Sequence, residues 1–282
     1  MTIDSHQHFW RFDPVRDAWI TPKMAVLRRD YMPADLAPEL AAQSIDATIA
    51  VQADQSENET QFLLDLAALH PFIAGVVGWV DLLSPELPRR LEHFSQFKKL
   101  CGFRHIAQSE PDDFLLRDDF QRGVARLADF GFTYDVLIYA RQLPAAAEFV
   151  RRFPHQPFVI DHIAKPDVRA REIDRWESHM RTIAAHPLTM CKLSGMITEA
   201  DWRAWTPETF RPYLDIVWDA FGPDRLMFGS DWPVCLLAGT YAQVKNLMED
   251  FLRARPAAQR EAIFGANAAR FYSLKTQHGF TA

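Results

Sequence analysis

Short apolar segments recur eight times along the chain, and a stretch with helical periodicity follows each of them. Several segments are continuously hydrophobic rather than alternating, which is typical of strands buried on both faces of a parallel sheet. The pattern therefore predicts eight strands, each followed by a helix. The predicted strands cover residues 2–8, 47–53, 73–81, 100–106, 132–138, 157–162, 189–194 and 226–231.

Residues typical of helix ends support the helices predicted between these strands. Ser56 begins a capping box, and Ser84 and Thr206 each precede a proline, as an N-cap residue does when proline takes the first helical position. Gly131 and Gly222 stand where helices are predicted to end.

Strand and helix alternate eight times within 282 residues, which predicts a (β/α)8 TIM barrel of the α/β class. The competing doubly wound sheet usually carries G-x-G-x-x-G after its first strand, and this chain has no such pattern. We expect the barrel to span residues 1–274 as a single domain and a C-terminal tail to span residues 275–282. The first connection, residues 9–33, is unusually long, so it is predicted either to cover the active site or to plug the barrel mouth.

Composition and charge narrow the class of protein. Hydrophobic residues make up 48% of the chain and charged residues 24%, as in an ordinary globular protein. A net charge of −6 without any basic run argues against a nucleic-acid partner. No apolar stretch approaches the roughly 18 residues of a membrane span, and the N-terminus has no basic segment followed by an apolar one, so we expect neither a span nor a secretory signal. Three sparse cysteines without a C-x-x-C pair predict a cytoplasmic location. A monomer and a homo-oligomer are equally compatible with these features.

Polar residues stand at the end of each apolar segment, where the active site of a parallel barrel lies. His162 and Asp231 are the strongest functional candidates, because each ends a strongly apolar run and needs a partner there. A hydrogen bond to a loop explains the position equally well for four of these residues, Gln52, Asp81, Lys192 and Ser194. The full set of strand-end residues is His6, His8, Gln52, Trp79, Asp81, Arg104, His105, Tyr134, Asp135, Asp161, His162, Lys192, Ser194 and Asp231.

Three of the strand ends carry two adjacent polar residues. Because adjacent side chains of a strand point to opposite faces, each pair is expected to send one member into the barrel. The sequence does not choose between the two members. The three pairs are Arg104 and His105, Tyr134 and Asp135, and Asp161 and His162.

His6 and His8 lie two residues apart on the first strand, so their imidazoles are expected to project from the same face. When a barrel closes, its first strand lies beside its last, which would bring this pair close to Asp231. Together with His162, these residues could hold one divalent ion and leave a position for water. Asp231 would then accept a proton from the water, and His162 would polarise the carbonyl under attack or complete the metal shell.

Three motifs resemble those of the amidohydrolase superfamily, in its amidohydrolase-2 branch. They are IDSHQHFW at residues 3–10, FGSDWP at residues 228–233 and GANAARFY at residues 265–272. Residues 6–10, 51–60 and 102–105 are further similar to the sugar lactonase group of that branch. This group includes L-fuconolactonase-like and L-rhamnonolactonase-like enzymes and the 2-pyrone-4,6-dicarboxylate lactonases.

The resemblance implies particular roles for residues at the strand ends. His6 and His8 would be the first-strand pair, His162 would polarise a carbonyl, and Asp231 would activate water. Binuclear members of the superfamily use a lysine or glutamate on the fourth strand and a histidine on the fifth, which this chain does not match. We therefore expect one divalent ion, zinc or manganese, or a metal-independent site, rather than two ions.

The strand ends favour a neutral sugar lactone over a dicarboxylate. A pyrone dicarboxylate calls for more than one arginine, whereas the predicted site offers one, Arg104, with His105 or Lys192 as the further candidates for a positive charge. Tryptophans would provide apolar faces for a sugar ring, and these are Trp10, Trp19, Trp79 and Trp232. The predicted substrate contacts are Gln52, Arg104, His105, Asp135 and Trp232.

The resulting hypothesis is a hydrolase that opens an aldonolactone, such as L-fuconolactone, by direct attack of an activated water and without a covalent enzyme intermediate. One enzymatic alternative is a 2-pyrone-4,6-dicarboxylate-type lactonase. Another is a zinc-dependent non-redox decarboxylase of an aromatic acid. The non-enzymatic alternative is a barrel that binds a sugar acid without turning it over.

Overall fold

Eight parallel strands form one sheet in which each strand pairs with the next along the chain, from β1 to β8. A parallel bridge between Gln7 and Trp232 joins β1 to the segment after β8 and closes the sheet. The predicted (β/α)8 barrel is confirmed, and each strand lies within its predicted segment. The strands are β1 (Ile3–Gln7), β2 (Ala47–Val51), β3 (Ile73–Gly78), β4 (Leu100–His105), β5 (Thr133–Val136), β6 (Phe158–Ile160), β7 (Thr189–Leu193) and β8 (Leu226–Phe228).

A computed structural model describes residues 1–274 of the chain, so the predicted tail at 275–282 lies outside the described residues. The helices that surround the sheet are α1 (Pro33–Ala42), α2 (Glu57–Leu69), α3 (Leu87–Phe94), α4 (Asp118–Ala125), α5 (Leu143–Arg152), α6 (Asp174–Ala184), α7 (Pro207–Phe221), α8 (Tyr241–Leu252), α9 (Ala257–Glu261) and α10 (Asn267–Phe271). Within residues 1–274, no helix combines the length and apolar character that a membrane crossing requires.

The predicted helix ends agree with the structure except at two positions. Thr206 directly precedes α7, and Gly222, with φ of 69°, ends it. Gly131 ends a short 3-10 turn that follows α4 rather than α4 itself. Ser84 does not cap α3, because its Oγ accepts a hydrogen bond from Glu86 N and the helix begins only at Leu87.

Two apolar clusters build the protein, one between the sheet and the helices and one inside the barrel. The inner cluster includes Ile3, Val77 and Met227 from the strands. It also includes Ala268 and Tyr272, which lie in and after α10. The end of the described chain therefore closes the barrel at the end where the strands begin, and the opposite end is left for a site.

The capping box at the start of α2 is only half formed. Ser56 Oγ accepts a hydrogen bond from Glu59 N (3.1 Å), as predicted for an N-cap. The Glu59 carboxylate instead accepts a hydrogen bond from Ala53 N (3.2 Å), just after β2. Burial raises the pKa of Glu59 to about 7, although the hydrogen bond from Ala53 and the charge of Arg16 oppose the shift.

We predict that Glu59→Gln stabilises the protein at about pH 8 but not at about pH 4.5. The pKa of Glu59 in the folded state, about 7, exceeds its ordinary value, so protonation favours folding. That contribution is complete below the unfolded pKa and is lost as the pH rises through the folded pKa. The amide keeps an acceptor for Ala53 and never ionises, so its advantage should reach about 1–3 kcal/mol at the higher pH, measured by urea unfolding.

Asp65→Asn is the matched control, because Asp65 is exposed on the same helix. Its effect on the free energy of unfolding should be the same at both pH values. A pH-independent effect of Glu59→Gln would contradict the buried-carboxylate explanation.

Candidate active site

A cavity of about 460 Å³ opens at the ends of the strands. The first connection contributes Trp10, Trp19 and Met24 to its wall, so this connection covers the cavity rather than plugging the barrel. Trp79 and Trp232 are not among the residues that line the wall. The acidic, basic and imidazole side chains of the wall are His8, Arg104, His162, Lys165 and Asp231.

Two imidazoles from β1 and a carboxylate from beyond β8 meet at the inner end of this cavity. His6 Nε2 lies 3.2 Å from His8 Nε2 and 3.8 Å from Asp231 Oδ1, and His8 Nε2 lies 3.3 Å from the same oxygen. The His8 ring is held by a hydrogen bond of 2.8 Å from Nδ1 to Val51 O, which leaves the lone pair of Nε2 free. All three side chains are buried.

The spacing of these three donor atoms fits one divalent cation. Zinc bonds of about 2.0–2.1 Å in a tetrahedral arrangement place ligand atoms roughly 3.3 Å apart, close to the observed separations of 3.2, 3.3 and 3.8 Å. Asp231 Oδ1 is also buried without a hydrogen-bond partner among residues 1–274, although a carboxylate oxygen in such a place needs one. The donor set of two imidazoles and one carboxylate is typical of zinc.

His162 lies beside this cluster, with Nε2 3.9 Å from Asp231 Oδ1. Its Nδ1 is 2.9 Å from Ser194 Oγ. Burial lowers the pKa of His162 to about 4 despite the neighbouring carboxylates, so the imidazole is neutral near pH 7. Burial acts to raise the pKa of Asp231, but the surrounding imidazoles outweigh it and hold that pKa below its usual range. An ionised carboxylate therefore faces the neutral imidazole of His162.

The expectation that only one of Asp161 and His162 enters the barrel is wrong. β6 ends at Ile160, and the chain then turns so that four successive residues, from His162 to Lys165, have φ between 46° and 58°. Asp161 Oδ2 accepts a hydrogen bond from Arg104 (3.0 Å) inside the barrel, while His162 reaches the cavity from the turn. The alternation rule fails here because the strand has already ended.

This turn needs a glycine on the neighbouring strand end. Gly195 has φ of 62°, and a Cβ built on it would lie only 2.5 Å from His162 Nδ1. Gly229 meets His6 in a similar way, since its Cβ would lie 2.7 Å from His6 Cβ. Gly195 therefore makes room for the His162 imidazole, and Gly229 for the Cβ of His6.

The other two adjacent pairs follow the alternation rule. Arg104 points into the barrel, whereas His105 lies outside it and stacks on Phe114 with ring centroids 4.9 Å apart. Asp135 points inward, whereas Tyr134 packs in the outer cluster. The predicted contact between His105 and a substrate is thus corrected: that side chain faces the helices, where it also approaches Glu110.

Of the predicted substrate contacts, only Arg104 lines the cavity. Gln52 is fully buried and donates a hydrogen bond from Nε2 to Arg104 O (3.0 Å). Trp232 packs on Tyr31, with ring centroids 5.1 Å apart, beneath the first connection. Asp135 is fully buried deeper in the barrel. These three residues pack around the residues of the cavity wall and do not line the cavity themselves.

Lys192 links the inner carboxylates to the histidine cluster. Its Nζ lies 2.5 Å from Asp135 Oδ2, 3.0 Å from Asp161 Oδ1 and 3.2 Å from His6 Nδ1, and the lysine is fully buried. His6 Nδ1 is also 3.4 Å from Asp161 Oδ1. The sequence signal was a lysine within the apolar run TMCKLS, which a loop hydrogen bond explained equally well.

Two further supporting residues were absent from the predicted site. Asp4 Oδ1 accepts hydrogen bonds from His6 N (3.1 Å) and Ser230 N (2.8 Å), and Asp4 Oδ2 accepts one from Tyr241 (3.0 Å). Burial raises the pKa of Asp4 to about 6. Tyr272 follows α10 at the end of the barrel where the strands begin, and its hydroxyl donates a hydrogen bond to Asp135 Oδ2 (2.8 Å). Both lie in the motifs at residues 3–10 and 265–272, which could have indicated them.

A (β/α)8 barrel that gathers imidazoles from β1 and a carboxylate from beyond β8 at its mouth has the architecture of a hydrolytic enzyme. The profile of the amidohydrolase family, in its second branch, matches residues 3–274, and the chain belongs to this family. The resemblance inferred from the sequence motifs is thereby confirmed.

Relatives within the family point to one group. The chain is 46% identical to L-fucono-1,5-lactonase of Burkholderia multivorans, over 97% of this chain and 96% of the relative. It is 37% identical to L-fucono-1,5-lactonase of Burkholderia ambifaria, over 98% of this chain and 97% of the relative. A crystal structure of a Burkholderia multivorans amidohydrolase with bound zinc is similar with a TM-score of 0.94 and 46% identity, over 98% of this chain and all of that one.

We predict that Tyr272→Phe lowers the free energy of unfolding by about 1–3 kcal/mol, because it removes a buried donor from a carboxylate. The carboxylate is that of Asp135, whose Oδ2 accepts the Tyr272 hydroxyl and also contacts Lys192 Nζ. Its Oδ1 has no hydrogen-bond partner among the described residues, so the tyrosine is one of only two polar side chains that hold this carboxylate there. Urea unfolding measures the change.

Tyr213→Phe is the matched control. The Tyr213 hydroxyl is buried and makes no hydrogen bond to any residue in the range 1–274, so its removal should not destabilise the protein. Equal effects of the two substitutions would contradict a specific role for the hydrogen bond to Asp135.

Proposed function

We propose that this protein is a lactonase that hydrolyses an aldonolactone, with L-fucono-1,5-lactone as the favoured substrate. The observation that carries the proposal is the meeting of His6, His8, His162 and Asp231 at the inner end of one cavity. The two curated relatives named L-fucono-1,5-lactonase support the choice of substrate.

His6, His8 and Asp231 would hold one divalent ion, for which zinc is the best candidate given the zinc-bound relative. Such an ion supplies Lewis acidity, which lowers the pKa of water and polarises a carbonyl. Contacts to the Nδ1 atoms orient the two histidine rings of this donor set. His8 donates from Nδ1 to Val51 O, and His6 presents Nδ1 to Asp161, so each ring directs Nε2 toward Asp231.

Asp231 is proposed as the general base. Its carboxylate is ionised near neutral pH and accepts a proton from water, whose oxygen forms a bond to the lactone carbonyl carbon. His162 is neutral, and with Ser194 donating to Nδ1 its proton resides on Nε2, which faces the cavity. That N–H donates a hydrogen bond to the carbonyl oxygen as negative charge develops there.

Ring opening then returns the proton. The bond between the carbonyl carbon and the ring oxygen breaks, and that oxygen takes the proton from Asp231 and leaves as a hydroxyl group. The new carboxylic acid ionises in solvent, so one lactone and one water yield one sugar acid anion and one proton. No bond forms between the protein and the substrate at any step.

The cavity favours a neutral sugar over a dicarboxylate. Arg104 is already engaged by Asp161 (3.0 Å) and by the main-chain carbonyl of Gln52. An aromatic dicarboxylate calls for more than one available arginine. Trp10 and Trp19 instead offer apolar faces of the kind that a sugar ring packs on.

We predict that Asp231→Asn lowers kcat for L-fucono-1,5-lactone by about 100-fold or more, because the amide cannot accept a proton. A pH indicator that follows acid release provides the assay. Asp219→Asn, an exposed substitution on α7, is the control and should leave the rate unchanged. Turnover at the unmodified rate in Asp231→Asn would exclude Asp231 as the base.

We predict that the purified protein retains about one equivalent of zinc per chain, measured by elemental analysis, and that chelation removes it together with activity. His8→Gln should lower the metal content, because it removes one of the three donors. His105→Gln should not, since His105 faces Phe114 outside the barrel. A metal-free protein with full activity would contradict the metal prediction and would mean that Asp231 and His162 activate the water and the carbonyl without an ion.

A further inference from the structure

Lys165 lines the cavity, but it lies outside the sequence motifs and has no role in the proposed mechanism. It follows His162 by three positions and ends the left-handed turn, where its main-chain N donates to His162 O (2.8 Å). The same turn therefore presents the imidazole and the ammonium group to one cavity. The Nζ atom lies 5.3 Å from the centre of the Tyr139 ring.

The Lys165 ammonium group is enclosed but poorly supplied with acceptors. Its side chain is 16% exposed, and its ion pair with Glu199 is long, at 3.9 Å. Among residues 1–274, this Nζ makes no hydrogen bond to a protein acceptor. An ammonium group has three N–H donors, and leaving them unsatisfied in a partly enclosed place is costly. A ligand with oxygen acceptors would satisfy them.

The position of Lys165 indicates which part of a ligand it meets. A second cavity of about 890 Å³ adjoins the first, and Lys165 and Tyr139 line both. His8 and Asp231 line only the first cavity. Lys165 therefore stands at the outer margin, so a lactone with its carbonyl at Asp231 would direct its ring substituents toward Lys165.

We infer that Lys165 is a specificity-determining residue that binds a ring hydroxyl of the sugar lactone and selects hydroxylated lactones over plain ones. This assignment rests on the proposed lactonase function. A hydrogen bond from a charged donor discriminates strongly, because a substrate without the hydroxyl leaves the donor unpaired. Arg104, the other cationic side chain of the first cavity, is already paired with Asp161 (3.0 Å).

The test compares Lys165→Met with the unmodified protein on two six-membered lactones. L-fucono-1,5-lactone carries ring hydroxyls and δ-valerolactone carries none. The substitution should lower kcat/KM for the first by about 10- to 100-fold, mainly through KM, and leave the second within about twofold. Each lactone is also tested as a competitive inhibitor of the other, so that a slowly hydrolysed lactone still yields a binding constant.

Lys23→Met is the matched control, because Lys23 is exposed and lines only the second cavity. It should not change the discrimination between the two lactones. Equal losses on both lactones with Lys165→Met, or no loss on either, would overturn the assignment of Lys165 and leave the lactonase function standing. No turnover of either lactone by the unmodified protein would overturn both.

Discussion

The candidate site depends on the contact that closes the barrel between β1 and the segment after β8. Asp231 N donates to His6 O (2.8 Å), and His8 N donates to Trp232 O (2.7 Å), so backbone hydrogen bonds join residues near opposite ends of the chain. Asp4 reinforces the closure by accepting hydrogen bonds from both segments. These hydrogen bonds are what place the histidine pair beside the carboxylate of Asp231.

A network of buried ion pairs inside the barrel supports the candidate site. Lys192 pairs with the carboxylates of both Asp135 and Asp161, Arg104 pairs with Asp161, and all four side chains are almost entirely buried. A buried charge is tolerated only with a partner, so removing Lys192 would leave the Asp135 carboxylate without a cation at a cost of about 3–5 kcal/mol. The arrangement fixes Asp161 beside His6 Nδ1 and thereby orients that ring. Ion pairs in the barrel interior thus determine how the His6 ring is oriented at the barrel mouth.

Much of this arrangement follows from rules that act along single strands. Spacing by two placed His6 and His8 on one face, and barrel closure placed Asp231 beside them. Alternation correctly allowed one inward member for Arg104 and His105, without saying which. Tyr272 could not be foreseen in the same way, because its contact with an inner carboxylate depends on how α10 docks under the barrel rather than on any local pattern.

The left-handed turn after β6 is the feature that no strand rule could supply. Left-handed backbone costs a residue other than glycine roughly 1–2 kcal/mol, and Ile163 is β-branched, which makes the position less favourable still. The turn persists because Ile163 is fully buried and its carbonyl oxygen accepts a hydrogen bond from Trp176 (2.8 Å). Continuing β6 would have sent Asp161 and His162 to opposite faces. The strained turn instead brings His162 and Lys165 to one cavity, and the roles proposed for these two side chains both depend on it.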